Sequence, residues 1–479
     1  MAQNVHCTGR DHNVNNGTGN LNVNNIGRDL VQNFTTTDSY PHLKALYVAV
    51  AGVGASHTSE HQFARGKCLE GTRVKALQNI REWRLSGDLS LPICWLSGSA
   101  GVGKSAIAMT VAKSCEKDGL VASFFFFRSD PKRNNPHALV PTIALGLIEN
   151  IPSLRASINQ KIGERPTILD INLEDQFQEL VLDPYLQMKQ SEVDSARKAP
   201  NLIVIDGLDE CGDEDTQMRV LSTILSPYLE KSPWSGPPLK FFICSRPEAW
   251  IREVFGREDL GRLTKRIFLN LNDANRDIEQ YFRHGFQIIR TTPKYCRLRF
   301  PSPWPSDWEL KQLVRMASGQ FAYAATAVKF VTLAYSNPMD QLRIILDYDP
   351  EDQASNSPFP ELDRLYHVIL HVNPNREKLL SVLAAILILP PYLPPSPEIV
   401  EIVLDLTPGE VDLTLRGMHS VLDIHDSWDE IRVFHTSFVE CLFDRSRAGA
   451  FFIDRPAQTQ TLARRWLQAL SAERLRRYR

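Results

Sequence analysis

The stretch Pro92-Ile-Cys-Trp-Leu-Ser-Gly-Ser-Ala-Gly-Val-Gly-Lys-Ser105, continued by Ala-Ile-Ala-Met-Thr-Val-Ala112, decides the fold. An apolar run, Ile93 to Leu96, leads into Gly98-Ser99-Ala100-Gly101-Val102-Gly103-Lys104-Ser105. That octet fits GxxxxGK[ST] in full, and a helical pattern leaves it at Ala106. Strand, glycine-rich turn and helix, in that order, form the context in which this motif holds phosphate. Glycines let backbone N–H groups wrap phosphate oxygens, and the helix N-terminus adds positive potential. Gly98, Ser99, Ala100, Gly101, Val102, Gly103, Lys104, Ser105 and Ala106 are therefore the candidate nucleotide-binding loop. Lys104 is expected to reach the β- and γ-phosphates, and the Ser105 hydroxyl to ligate Mg²⁺.

Two segments downstream gain meaning from this loop. Asn201-Leu-Ile-Val-Ile-Asp206 reads as a buried strand ending in a carboxylate, followed by Gly207-Leu-Asp209-Glu210-Cys211. Alone it reads as an acidic turn after a core strand. With a phosphate loop roughly 100 residues upstream, Asp206 becomes the second Mg²⁺ ligand. Asp209 or Glu210 is then placed to orient or deprotonate an attacking water. Lys240-Phe-Phe-Ile-Cys-Ser245-Arg246 ends another apolar strand. Many strands end in Ser-Arg, but an Arg there has the fork that reads a γ-phosphate.

Further apolar runs, Val121–Phe127 and Arg266–Asn270, alternate with helical stretches. Continuous apolar strands separated by helices predict an α/β fold: a parallel P-loop NTPase sheet covered by helices on both faces. A helical domain and a winged-helix-like domain are expected to follow it. The expected organisation is an Asn/Gly-rich segment (1–36), a helical pre-segment (37–90), the NTPase domain (91–270), a helical domain (271–346), a linker and helix (347–374), the winged-helix-like domain (375–454) and an Arg-rich helical tail (455–479). In the pre-segment, Val74, Leu77, Ile80 and Trp83 are expected along one buried stripe. The N-terminal segment repeats every nine residues: Gly9–Gly17, Thr18–Ile26 and Gly27–Thr35. Such a repeat either stacks as strands with Asn ladders or stays a disordered polar tail.

Composition narrows the partners. Lys and Arg total 54 against 56 Asp and Glu, which speaks against a dedicated nucleic-acid binder. Eight cysteines lie scattered without CxxC spacing, the pattern of a reduced, cytoplasmic protein. No signal peptide is read at the start. The apolar run Leu379–Leu389 is about half of the ~20 residues that a membrane span needs.

Taken together, Trp95–Ser105, Leu202–Cys211 and Phe241–Glu248 resemble the NACHT nucleotide-binding domains of the STAND class of P-loop NTPases, the class of NOD-like receptors. The similarity is greatest to a fungal group whose core is described as nephrocystin-3-like. Cys68–Trp83, Ala122–Asp130, Leu139–Leu147, Ser318–Val331 and Val433–Asp444 carry the likeness outward, over about 63–454. The resemblance implies bound ATP or ADP (or GTP) with Mg²⁺ at Ser105 and Asp206. It implies hydrolysis supported by Asp209 and Glu210, and a phosphate sensor at Arg246. His435 stands where the family shows a winged-helix histidine that touches the β-phosphate; it reads equally as a partly buried hairpin histidine. The chain departs from the wider class where Leu389-Pro-Pro-Tyr-Leu-Pro-Pro-Ser-Pro397 replaces a Gly-x-Pro turn. It departs again in lacking a recognisable repeat array of about 33–47 residues per unit after the winged helix. Either it is a short form that senses through another chain, or the gene model is truncated.

Three functions remain open on the sequence. One is a signalling switch, with slow NTP hydrolysis, that self-associates or meets an effector protein through 1–36. Another is a turnover NTPase or kinase. The third is a scaffold with a degenerate nucleotide site, against which the intact Lys104, Ser105, Asp206 and Glu210 argue.

Overall fold

A computed structural model describes residues 40–59, 66–86, 90–187, 201–229, 239–269, 274–333, 336–347, 357, 359–390, 392–424 and 428–471. The nine-residue repeat, most of the 347–361 linker and the arginines from Arg474 onward lie outside them. Contacts divide the chain into Met1–Pro41 and His42–Arg479; everything below concerns the second unit.

Five strands form one parallel sheet: β1 (Ile93–Ser97), β2 (Leu120–Phe125), β3 (Leu202–Asp206), β4 (Lys240–Ser245) and β5 (Thr264–Phe268), in the order β2-β3-β4-β1-β5. β1 to β4 each coincide with an apolar run in the sequence, because strands buried on both faces have no polar side to show; β5, at the sheet edge, instead exposes Lys265, Arg266 and Phe268. The register aligns Ser97 of β1 with Ser245 of β4 and Phe268 of β5, and Phe125 of β2 with Asp206 of β3. Ser97, Ser245 and Asp206 therefore all stand at the carboxyl edge of the sheet, where α/β proteins bind ligands.

Alternation along β1 shows the two covered faces. Ile93 and Trp95 join a core with α1 (Lys44–Val50), while Cys94 and Leu96 join another with α2 (Val74–Leu85) and α3 (Lys104–Cys115). The first face also receives α4 (Leu139–Asn150), α5 (Glu214–Leu229) and α6 (Ala249–Gly256). On α2 the buried side chains are Ala76, Ile80 and Trp83, with Leu77 at the margin. Val74, expected on that stripe, is exposed, because it opens the helix and precedes the turn that meets the sheet. The α2 C-terminus is closed by Lys240 of β4, whose Nζ donates to the carbonyls of Trp83, Arg84 and Ser86 at 3.0–3.2 Å. A buried lysine is thus satisfied by the orphan carbonyls that a helix end leaves.

After the sheet the chain turns helical: α7 (Ala274–Thr291), α8 (Asp307–Ala317), α9 (Phe321–Val331), α10 (Pro360–His371), α11 (Arg376–Ile388) and α12 (Pro397–Leu404). A short antiparallel pair follows, β6 (Leu422–Asp423) with β7 (Arg432–Val433), then α13 (Thr436–Phe443) and α14 (Arg455–Ser471). From Ala274 to Leu462 these elements share one continuous apolar core, so the region after the sheet packs as a unit. No helix among the described residues is long and apolar enough to cross a membrane.

Candidate functional site

The turn from β1 to α3 is built on two glycines, Gly101 and Gly103, with φ of 74° and 91°. Side chains rarely adopt that left-handed backbone. A Cβ on Gly101 would also approach Ala322 Cβ to 3.0 Å. Ala322 N–H in turn donates to the Gly101 carbonyl at 3.0 Å, so α9 is bonded to the loop. Lys104 opens α3, and its Nζ donates to the carbonyls of Gly98 (2.8 Å) and Ser99 (2.9 Å). Burial pushes the Lys104 ammonium below the usual lysine range, opposed by the carboxylates of Asp209 and Asp206.

These residues line a cavity of about 290 Å³. Ala100, Gly101, Gly103, Lys104, Ser105 and Ala106 line it from the loop. Asp206, Asp209, Glu210 and Arg246 line it from the strand ends, and His435 from the C-terminal region. The structure thus brings together residues from four separate stretches of sequence. Three members of the loop stand outside the lining. Gly98 and Ser99 present carbonyls to Lys104, and Val102 is buried with its carbonyl accepting from Arg73.

Asp206 ends β3 at 1% exposure, and Asp209 follows after Gly207, whose φ is 71°. Asp209 is held by Arg246: Oδ1 accepts the Arg246 N–H at 2.8 Å, and Oδ2 lies 3.2 Å from its Nε. Glu210 Oε2 accepts the Arg128 N–H at 3.0 Å. Arg246 Nη2 meets Glu440 Oε1 at 2.8 Å. Burial works against the charge on Arg246, yet Glu440 and Asp209 outweigh it and hold the guanidinium above its ordinary value.

Ser105 and Asp206 supply a hydroxyl and a carboxylate to the same cavity. That donor set fits Mg²⁺, which takes one or two protein oxygens and completes its shell from phosphate and water. Among the described residues no three His, Cys, Asp or Glu side chains group as a metal cage.

Several lining residues are not marked by any motif. Arg73 lines the cavity from the turn before α2, and Tyr281, Phe321 and Lys329 line it from the helices after the sheet. Lys329 Nζ sits 2.9 Å from the centre of the Phe434 ring. Burial lowers its pKa to about 8, against the pull of Asp423. A lone cation in the apolar Phe321–Val331 was the available signal; the same holds for Glu440, the lone charge in Thr436–Phe443.

The family described as nephrocystin 3, N-terminal, matches residues 71–246, the span from α2 to the end of β4. No curated protein matches the chain. Among solved structures, the Aeropyrum pernix ORC2 protein, in ADPNP–ADP complexes, aligns at 12% identity over 84% of this chain and 96% of its own, with a TM-score of 0.31. Cdc6p from Pyrobaculum aerophilum aligns at 12% identity over 82% and 94%, TM-score 0.32. Drosophila ORC bound to DNA aligns at 11% over 97% and 72%, TM-score 0.27. The parallel sheet and the phosphate loop at its carboxyl edge give this chain the α/β fold of a P-loop NTPase.

Proposed function

We propose that the chain is a nucleotide-driven signalling switch of the NACHT and STAND kind. It binds ATP or GTP with Mg²⁺ and changes shape or assembly on exchange or slow hydrolysis. The observation that carries this reading is that His435, Thr436 and Ser437 line the same cavity as Lys104 and Ser105. Phosphates held by the loop then lie against the start of α13, so their number can bias whether α13 stays docked. That is a two-state element read by a ligand with different affinity for each state.

In this reading Ser105 and Asp206 would hold Mg²⁺, which would supply positive charge beside the phosphates. Lys104 leaves the carbonyls of Gly98 and Ser99 for phosphate, and His435 touches the β-phosphate. Glu210 is better suited than Asp209 to orient water, because both Asp209 oxygens face Arg246. That engagement favours slow hydrolysis over rapid turnover. Self-association or an effector protein would act through 1–36. Neither nucleic acid nor a membrane enters the proposal. The described cysteines are free thiols, which suits a cytoplasmic setting.

The test begins with the purified full chain and a Lys104→Ala variant, denatured, with released nucleotide resolved by ion exchange. ADP or GDP on the wild type and none on the variant is the expected result. Exchange for a non-hydrolysable triphosphate should then change the scattering profile or oligomer size. Unchanged shape and size overturn the switch. Turnover on the order of 1 s⁻¹ or more without a partner points to a working enzyme instead.

A further inference from the structure

Two arginines from different strand ends converge on one carboxylate of the C-terminal region. Arg246 follows β4 and donates through Nη2 to Glu440 Oε1 at 2.8 Å. Arg128 follows β2, and its Nη1 lies 3.5 Å from the same oxygen. Its Nη2 donates to the Asp209 carbonyl at 2.8 Å, so Arg128 also grips the turn after β3. Glu440 belongs to α13, the helix that His435 precedes.

The geometry of Arg246 makes this cluster more than a fastening. Arg246 lines the phosphate cavity and Glu440 does not. A guanidinium presents two bidentate edges, one through Nε and one through both Nη atoms. Here Nε faces Asp209 at 3.2 Å and Nη2 is bonded to Glu440. Each edge therefore includes a nitrogen already engaged. A phosphate can take an edge only by loosening Asp209 or Glu440. Asp209 is fixed on the turn after β3 and also bonds the Arg246 backbone, so Glu440, from a separate region, is the partner that yields. With side chains only 17% and 21% exposed, Arg246 and Glu440 are less screened than a surface pair.

We propose that Glu440 is a positioning residue that sets the preference between nucleoside di- and triphosphate. While α13 is docked, the Glu440 carboxylate keeps Arg246 from a third phosphate; a diphosphate makes no demand on it. This inference rests on the switch reading and adds to it the residue that couples phosphate number to α13.

The experiment titrates the full chain with fluorescent diphosphate and with a fluorescent non-hydrolysable triphosphate, in adenine and guanine forms, with Mg²⁺ present. Glu440→Gln keeps the shape and removes the charge. The expected result is a rise of about tenfold in triphosphate affinity relative to diphosphate, typical of coupling between sites. Diphosphate affinity should stay within about twofold. Arg128→Gln leaves Glu440 to Arg246 alone and should shift the ratio the opposite way, toward diphosphate, by less; it carries the test if Glu440→Gln fails to fold. An unchanged ratio, or parallel loss of both affinities, overturns the inference and leaves the switch standing. A wild-type chain that binds neither nucleotide overturns both.

Discussion

Arg73 Nη2 donates to the carbonyl oxygen of Val102 at 2.6 Å, tying the segment before α2 to the middle of the phosphate loop. The same residue holds a left-handed backbone, φ 55°, and its N–H donates to Asp277 Oδ2 of α7 at 2.9 Å. Its guanidinium lies 4.8 Å from the centre of the Phe321 ring on α9. One residue, through its side chain and its backbone N–H, therefore sets the loop against two helices beyond the sheet.

Arg73→Ala should weaken nucleotide binding by about tenfold or more. A hydrogen bond from a charged donor contributes roughly 1.5–3 kcal/mol, and about 1.4 kcal/mol is a factor of ten. Arg73→Lys should recover little, because a lysine has neither the fork nor the flat face for stacking. Titration of both variants beside the wild type decides it. Full affinity in Arg73→Ala would show that the loop holds its shape without this contact.

Gly146 gives a test of the sheet's packing. It lies on α4 where the helix crosses β2, and a Cβ there would sit 2.2 Å from the Val121 carbonyl oxygen and 2.8 Å from Ala122 Cβ. In an open helix, Gly to Ala gains about 1 kcal/mol. Here backbone must move, so Gly146→Ala should cost about 1–3 kcal/mol or more. Urea unfolding gives the sign directly. A gain in stability would mean that α4 stands further from the sheet.

The sheet and the phosphate loop were legible in the sequence for a local reason. A parallel strand buried on both faces is an apolar run, and GxxxxGK[ST] between strand and helix is a contiguous signal. Arg246 and Asp206 were legible because each ends such a run. The partners of Arg246 were not. Glu440 lies 194 positions away and reaches it only through the packing of α13. Arg73 was readable only as part of a segment before the first strand, since Val102 and Phe321 meet it by tertiary contact. Periodicity also misjudged Val74, because a helix's first turn need not share the burial of its middle.

His57 makes stability depend on pH. Its Nδ1 and Ser123 Oγ are 2.8 Å apart in the core beside β2, and Nε2 lies 3.9 Å from a Glu116 oxygen. Burial lowers its pKa; Glu116 opposes this, and Lys113 adds to it. A histidine with a lowered folded pKa binds a proton more readily when unfolded. Stability is therefore full above the unfolded value, about 6.5, and is lost as pH falls from there toward the folded pKa. His57→Gln should narrow the difference in melting temperature between pH 7.5 and pH 5. An unchanged difference would assign the acid sensitivity to other groups.

Arg447 and Asp363 form a bidentate pair, Nε to Oδ2 at 2.9 Å and Nη2 to Oδ1 at 2.8 Å. Side-chain exposures of 7% and 2% remove both from water. Burial works against the charge on Arg447, but Asp363 holds the guanidinium above its usual value. Removing one partner strands the other, so Arg447→Met should cost about 3–5 kcal/mol. Replacing both, with Asp363→Leu added, should recover much of that loss, since a buried pair seldom outweighs well-packed apolar groups. The damage in the single variant should also reach the cavity. Asp363 lies on α10, and Tyr366 of the same helix shares a 2.9 Å hydrogen bond with Ser437, a cavity-lining residue of α13. Denaturant unfolding and nucleotide titration of the single and double variants test both statements. A single variant that loses stability but binds nucleotide unchanged would show that α10 supports the core without positioning α13.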